Sequence, residues 1–219
     1  MKQLHSLFAL FTAVCCLAFA PQAKAETLQL NITVGEKSFV VPAPSEHFVE
    51  MSAPLALQVK ASLPGSNRFL CGFTDPQDAT MITSATIQSI VPLEAQSLTK
   101  EDFALIVAQS KAMLGSDSFN DEFDKAIESA DGLKGVDIGQ PKVLGALQEA
   151  PDRFVYAMVI VLSGPDGKAI PLLIGSSMVH LHGKLVMQTL TVPFDGEQSL
   201  EALKPRMLVW VQALIDSNS

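Results

Sequence analysis

The chain has 219 residues, 48% of them hydrophobic, and a formal net charge of −8. That is enough for one domain with a real core, and too apolar for wholesale disorder. The acidic balance argues against nucleic acid, whose phosphates need clustered Lys and Arg, and against anionic lipid surfaces.

The first 25 residues read as an export signal. Lys2 supplies a short positive region, and Leu7 to Ala20 is apolar except for Thr12. This run is shorter than the roughly 20 residues a membrane span needs. Pro21 breaks it, and Ala23-Lys24-Ala25 has the small-x-small pattern that signal peptidase accepts. Cleavage is expected between Ala25 and Glu26, which leaves residues 26–219 as a single globular domain. The expected location is the periplasm, with secretion as the alternative, and no stable membrane insertion is expected after cleavage. Lys2 and Lys24 fall in the leader, so the net charge of −8 becomes −10 past Ala25. Cys15 and Cys16 also fall in the leader. Val14 precedes the first and Cys15 the second, a poor fit to a lipid-attachment motif. Past Ala25 only Cys71 is left, so an intramolecular disulfide is impossible. A buried thiol is expected, with an intermolecular disulfide or a reactive thiol as alternatives.

Leu28, Leu30, Ile32 and Val34 alternate with polar residues, as in a half-buried strand. Gly35-Glu36-Lys37 makes a turn, and Ser38 to Val41 is its hairpin partner. Leu55, Leu57 and Val59 alternate again and predict a strand over Pro54 to Lys60. A loop with a short strand at Arg68 to Phe73 follows, and Thr80 to Val91 favours a strand. Thr99 with Asp102 forms a capping box for a helix through Phe103, Ile106, Val107 and Leu114, which Gly115 stops. Phe119, Phe123 and Ile127 predict a second helix, closed near Gly132. Phe154 to Leu162 is a nearly unbroken apolar run, as in a strand covered on both faces. A Gly164-Pro165-Asp166-Gly167 turn leads to a strand from Ala169 to Leu181, and His182-Gly183 leads to a third from Leu185 to Val192. The tail from Gln198 to Ile215 is an amphipathic helix that either kinks at Pro205 or starts there. Strands, two helices, a three-stranded meander and a final helix describe an α+β chain. The architecture is an α/β/α sandwich with a mainly antiparallel central sheet.

This order resembles the PsbP-like fold group, and within it the DcrB-like periplasmic proteins. The resemblance rests on Val40-Val41-Pro42, on Thr99-Lys100-Glu101-Asp102-Phe103, on the meander, and on a closing helix that carries Trp210. It implies a mostly non-catalytic role, as an extrinsic subunit, chaperone-like adaptor or envelope accessory protein. It supplies no catalytic residue to carry over, and no cofactor.

Among the residues themselves, His180 and His182 are the best metal candidates, because strand positions two apart share a face about 7 Å apart. His47 or a carboxylate would have to complete such a site, and a turn at His182 would spoil the alternation. Gly175-Ser176-Ser177 lacks the second Gly of a nucleophile elbow and reads as small residues under a packed helix. Gly164 to Lys168 is too short for a phosphate loop. Asp117, Asp121, Glu122 and Asp124 lack calcium-loop spacing and suit a helix N-terminus. The expected function is a non-catalytic interaction domain with an envelope protein as partner. The alternative is a ligand-binding protein or enzyme with its site near the Cys71 loop and the His180–His182 hairpin. The first test is the intact mass of the exported protein. It should start at Glu26, and a mass that includes residues 1–25, or a lipid adduct on Cys15 or Cys16, would overturn the export reading.

Overall fold

Period-two alternation builds most of this molecule. The computed structural model describes residues 27–78, 82–114, 116–129, 137–163 and 168–219. The expected cleavage point at Ala25 and Glu26, the stops at Gly115 and Gly132, and the turn at 164–167 lie outside the described residues.

Strands β1 (Gln29–Val34) and β2 (Lys37–Pro42) pair antiparallel as a separate ribbon, turning at Gly35 with φ +58°. A Cβ at Gly35 would stand 2.2 Å from the Glu94 carbonyl oxygen, so only Gly fits there. Ile32 and Val34 point inward with Phe39 and Val41. The main sheet has eight strands, all antiparallel. They are β3 (Val49–Glu50), β4 (Asn67–Thr74), β5 (Ser84–Ile90), β6 (Asp137–Ile138), β7 (Lys142–Ala150), β8 (Arg153–Ser163), β9 (Ala169–Leu181) and β10 (Lys184–Pro193). Their spatial order is β3-β4-β5-β10-β9-β8-β6, with β7 also on β8. Both edges are blunt: β3 has two residues, and β7 carries two register shifts, between Val143 and Gly145 and between Ala146 and Gln148.

Pro54 to Lys60 corrects the sequence reading. It is a helix, α1 (Ala53–Ala61), with Pro54 in its first turn and no buried residue. The alternating Leu55, Leu57 and Val59 have no core to face, and Leu57 is 67% exposed. Ala, Leu, Gln and Lys are good helix formers, and Pro presets the first turn. A short helix α2 (Val91–Glu94) ends β5 at Pro92. Helix α3 (Lys100–Met113) starts at the expected capping box: the Thr99 hydroxyl accepts from the Asp102 amide at 3.1 Å, and the Thr99 amide donates to the Asp102 carboxylate at 2.9 Å. Hydrogen bonds from the Thr99 backbone and side chain hold the Asp102 carboxyl below its ordinary pKa. Helix α4 (Asp117–Ser129) follows as expected.

Helix α5 (Glu197–Asp216) runs through Pro205 and starts well before it. Pro205 and Glu201 are both exposed, so the Glu201 carbonyl that loses its i+4 donor is left to water, which lowers the cost of the proline. The buried side of α5 is Leu203, Met207, Trp210, Val211 and Leu214. It packs on the sheet face that carries Val155, Ala157, Leu173, Val179, Val186 and Leu190. At Gly175 the approach is close: an added Cβ would meet Leu203 at 3.1 Å and Met207 at 3.3 Å. Gly175 thus has the packing role expected of Gly175-Ser176-Ser177, whereas Ser176 faces the other side of the sheet. On the other sheet face, Phe103 and Val107 of α3 pack with Leu98, Phe154, Met178 and Leu185. The three layers are therefore α5 with the β1–β2 ribbon, the sheet, and α3 with α4.

The ribbon is held to its neighbours by side chains. Trp210 Nε1 donates to the Pro42 carbonyl at 2.7 Å. Asn218 grips Val40, accepting from its amide and donating to its carbonyl at 2.8 Å each. Arg68 Nη2 donates to the Thr33 carbonyl at 2.9 Å, and Arg68 Nε pairs with Glu94 at 2.7 Å. Glu94 also accepts from Ser89 Oγ. Buried Lys184 donates to the Glu94 and Gln96 carbonyls at 2.8 and 2.7 Å, so a strand ammonium caps the C-terminal end of α2.

Partial burial raises the Glu94 pKa, but the hydrogen bonds from Arg68 and Ser89 and the charges of Arg68 and Lys184 outweigh it, and the net shift is downward. A depressed folded pKa adds stability above the ordinary carboxylate range, and that stability is lost as pH falls through the folded value. Glu94→Gln should therefore cost up to about 1.5–3 kcal/mol at about pH 7, the range for hydrogen bonds to a charged group. The gap from the parent in urea unfolding should narrow as pH falls below the ordinary carboxylate range, through the lowered folded value. A gap independent of pH would contradict this account.

Strand β8 lies one place in from the sheet edge, and only its first half is buried on both faces. Phe154 and Val155 are buried, as are Ala157 and Val159, whereas Ile160, Val161 and Leu162 are half-buried. Continuous apolar content overstated the cover there. Val159→Asp, which strands a carboxylate in the α5-side core, should abolish folding. Ile160→Asp, on the opposite face, should stay folded with a lowered melting temperature. Thermal unfolding followed by circular dichroism checks both; equal loss of folding would mean that the α3-side layer extends over Ile160.

Candidate functional site

The two candidate metal ligands diverge. His180 faces α3: its Nε2 lies 2.9 Å from the Leu98 carbonyl oxygen, and its ring stacks on Phe103 with centroids 5.6 Å apart. His182 sits in the β9–β10 turn with φ +48°. Its Nε2 bonds the Asn218 carbonyl, and its ring stacks on Phe39 at 6.2 Å. Because carbonyls only accept, both imidazoles hold their proton on Nε2. The turn breaks the alternation that would have put them on one face. His47 lies elsewhere, with Nδ1 3.2 Å from Gln77 Nε2. Among the described residues no three His, Cys, Asp or Glu side chains gather at metal-binding distance.

Cys71 is buried on β4, and burial, reinforced by the Glu50 carboxylate, pushes its thiol pKa up to about 12. A thiol held protonated at neutral pH packs as a small apolar group. The acidic residues Asp117, Asp121, Glu122 and Asp124 lie along the first turns of α4, where Lys125 pairs with Glu122 at 2.9 Å. A polar notch between the β1–β2 turn and α2 holds Lys37, Glu94, His182 and Lys184. Lys184 and Glu94 are spent there on the ribbon contacts described above.

What stands out is α3, which is apolar on two sides. Its inner side buries Phe103 and Val107. On its outer side Ala104, Ala108 and Ala112, spaced four apart, are all exposed, with Leu105 59% exposed beside them. Residues four apart line one helix face. A groove runs from Ala104 and Ala108 to Ala150 and Pro151 at the β7–β8 turn, closed at one end by the Lys111–Glu149 pair at 2.7 Å. The spacing is present in the sequence, but the larger Phe103, Ile106 and Val107 mark the inner face more strongly than small alanines mark the outer one.

Where α3 ends, a cleft of about 270 Å³ opens between α3, α4 and the sheet. Its roof includes Met113, Leu114 and Phe119, and its floor includes Tyr156, Ser176 and Thr189. These three are register neighbours on β8, β9 and β10. Burial raises the Tyr156 phenol pKa, against a hydrogen bond from Ser176. No reading of the sequence alone could assemble this row, because it depends on the pairing register of three strands.

No protein-family model matches the sequence, and neither does any curated protein. Solved structures do resemble the chain. Cyanobacterial PsbP (CyanoP) from Synechocystis sp. PCC 6803 is 15% identical with a TM-score of 0.45, over 87% of this chain and 94% of that one. A mutant of the protein Mog1 is 15% identical with a TM-score of 0.34, over 87% and 93%. The Saccharomyces cerevisiae Ran-binding protein Mog1p is 14% identical with a TM-score of 0.33, over 88% and 93%. A PsbP thus stands among the structures that the chain resembles, as the sequence resemblance leads one to expect, and no residue role passes from these proteins to this chain.

Proposed function

We propose that the chain is an exported, non-catalytic accessory domain that works in the periplasm by docking an envelope protein on the outer face of α3. The observation that carries this reading is the uncovered apolar stripe of Ala104, Leu105, Ala108 and Ala112. A contiguous exposed apolar surface rimmed by polar residues is a feature of protein contact sites. Small residues four apart let a second helix approach closely, and Leu105 supplies a flanking knob. The polar rim is Gln109 and the Lys111–Glu149 pair. The export pattern of residues 1–25 supports the setting. The side chains with chemical potential support the lack of catalysis: His180, His182, Lys184 and Glu94 each serve a structural partner.

A photo-crosslinker placed at Leu105 in the exported chain, in living cells, tests the proposal. Leu105 should give one discrete adduct with an envelope protein, while the equally exposed Leu57 of α1 gives none. Ala108→Glu, which puts a charge on the stripe, should reduce that adduct at least about tenfold. Its stability should change by no more than about 0.5 kcal/mol, as for an exposed position. Adducts of equal yield from Leu105 and Leu57, or an adduct indifferent to Ala108→Glu, would sink the proposal.

A further inference from the structure

On the inner side of the same helix, and independently of the outer-face reading, the cleft between α3, α4 and the sheet has the chemistry of a small-molecule site. Its volume of about 270 Å³ is near the lower end of the roughly 300–1,000 Å³ that ligand pockets span. Among the described residues that line it, none is a carboxylate, a Lys, an Arg or a His. A charged ligand would be desolvated there with no counter-ion. The walls carry three thioethers, from Met113, Met178 and Met187, together with Phe119. Flexible, polarisable side chains of this kind adapt to ligands of varied outline.

The floor is different. Tyr156 is opposite Ser176 in the β8–β9 register, and Ser176 is opposite Thr189 in the β9–β10 register. Residues directly opposite on neighbouring strands present their side chains on one face. Three hydroxyls thus lie in a row across three strands, beneath an apolar roof. Ser176 is buried, whereas Met113 at the mouth is 41% exposed, so the row is reached past a movable thioether. Tyr156 and Ser176 are bonded to each other, which leaves each with spare hydrogen-bonding capacity, and Thr189 stands next to them in the row. A guest with one hydroxyl or carbonyl group adds a hydrogen bond to this row, which a purely apolar guest cannot.

We propose that this cleft binds a small uncharged amphiphile, an apolar body with a single hydroxyl or carbonyl head, with the head on the Tyr156–Ser176–Thr189 row and the body against Met113, Met178 and Met187.

The test is a titration of the chain, with its methionine methyl groups isotopically labelled, against octan-1-ol and against octanoate at about pH 7, followed by NMR. Octan-1-ol should shift the Met113, Met178 and Met187 methyls saturably. The Met51 and Met207 methyls, buried outside the cleft, should stay in place. Octanoate, of the same length but ionised, should bind at least about tenfold more weakly. Thr189→Val keeps the shape and removes a hydroxyl, and should weaken octan-1-ol binding about fivefold. Met178→Trp should block binding by filling the cleft, with a cooperative unfolding transition, even at a lowered midpoint, showing that the chain still folds. If Met178→Trp does not fold, the Thr189→Val and octanoate arms decide alone. Absence of saturable shifts at the three methyls, shifts of equal size at Met51 and Met207, octanoate binding as tightly as octan-1-ol, or unchanged affinity in Thr189→Val would each overturn the proposal.

Discussion

Strand β9 has to serve two unlike environments at once, and much of the molecule follows from how it does so. Alternate residues send Leu173, Gly175, Val179 and Leu181 toward α5, and Ser176, Met178 and His180 toward α3. The α5 side admits no protrusion at Gly175, where Leu203 and Met207 already sit within ordinary contact of the missing Cβ. That close approach lets Met207, Trp210 and Leu214 be fully buried. With a side chain at Gly175, Leu203 and Met207 would have to give by a few tenths of an ångström, and an overpacked core of this kind costs about 1–3 kcal/mol. On the opposite side, the same strand places a hydroxyl where apolar packing would otherwise continue, and there the layer opens into a cleft.

The packing of α5 also bears on the rest of the fold. Its Trp210 and the nearby Asn218 hold the β1–β2 ribbon, which pairs with no strand of the main sheet. The ribbon's other end is held by Arg68 through Thr33, and Arg68 is paired with Glu94. Glu94 in turn belongs to α2, whose carbonyl is capped by Lys184 of β10. A continuous chain of polar contacts therefore runs from the C-terminal helix through the ribbon and α2 back into the sheet. Buried charges such as Lys184 are tolerated because each finds partners, and removing one partner leaves the other uncompensated. His182 sits where this chain closes, stacked on Phe39 and bonded to Asn218, which is a structural use for a residue whose spacing from His180 resembles a metal pair.

The parts legible in sequence were those where one physical signal dominates. The capping box at Thr99 and Asp102, the β1–β2 hairpin and the meander of β8, β9 and β10 were all readable from spacing alone. Legibility failed where two signals conflict. Leu55, Leu57 and Val59 alternate like a strand, but Pro54 and the strong helix formers around them prevailed because no sheet position was waiting for them. Lys142 to Ala150 escaped notice as a strand because its alternation is broken by two register shifts and by Gly145 at φ +118°. The continuous apolar run of β8 was read as doubly covered along its whole length, although cover depends on how far the neighbouring helices reach, which composition does not record. The cleft floor was invisible for a related reason: Tyr156, Ser176 and Thr189 each look like an isolated polar residue in an apolar strand until the register aligns them.

The treatment of the sheet edges bears on how such a domain can meet a partner. Adding a strand to an open edge is a common way to recognise another chain, because the unpaired backbone supplies the affinity. Here one edge is β3, two residues long, and the other is β7 with its paired bulges. Bulges twist an edge strand and leave amides out of line, which discourages pairing with a further strand. Backbone-led recognition is thus poorly served at both ends of the sheet. The docking proposed for this chain would instead rest on side chains, and α3 offers small residues in a row, with Leu105 beside them and an ion pair at the rim. Ordinary surface helices turn a polar face outward once their core face is satisfied. That α3 is apolar on both sides, and capped firmly at Thr99, makes it a rigid element with one face committed to the fold and the other available to a neighbour.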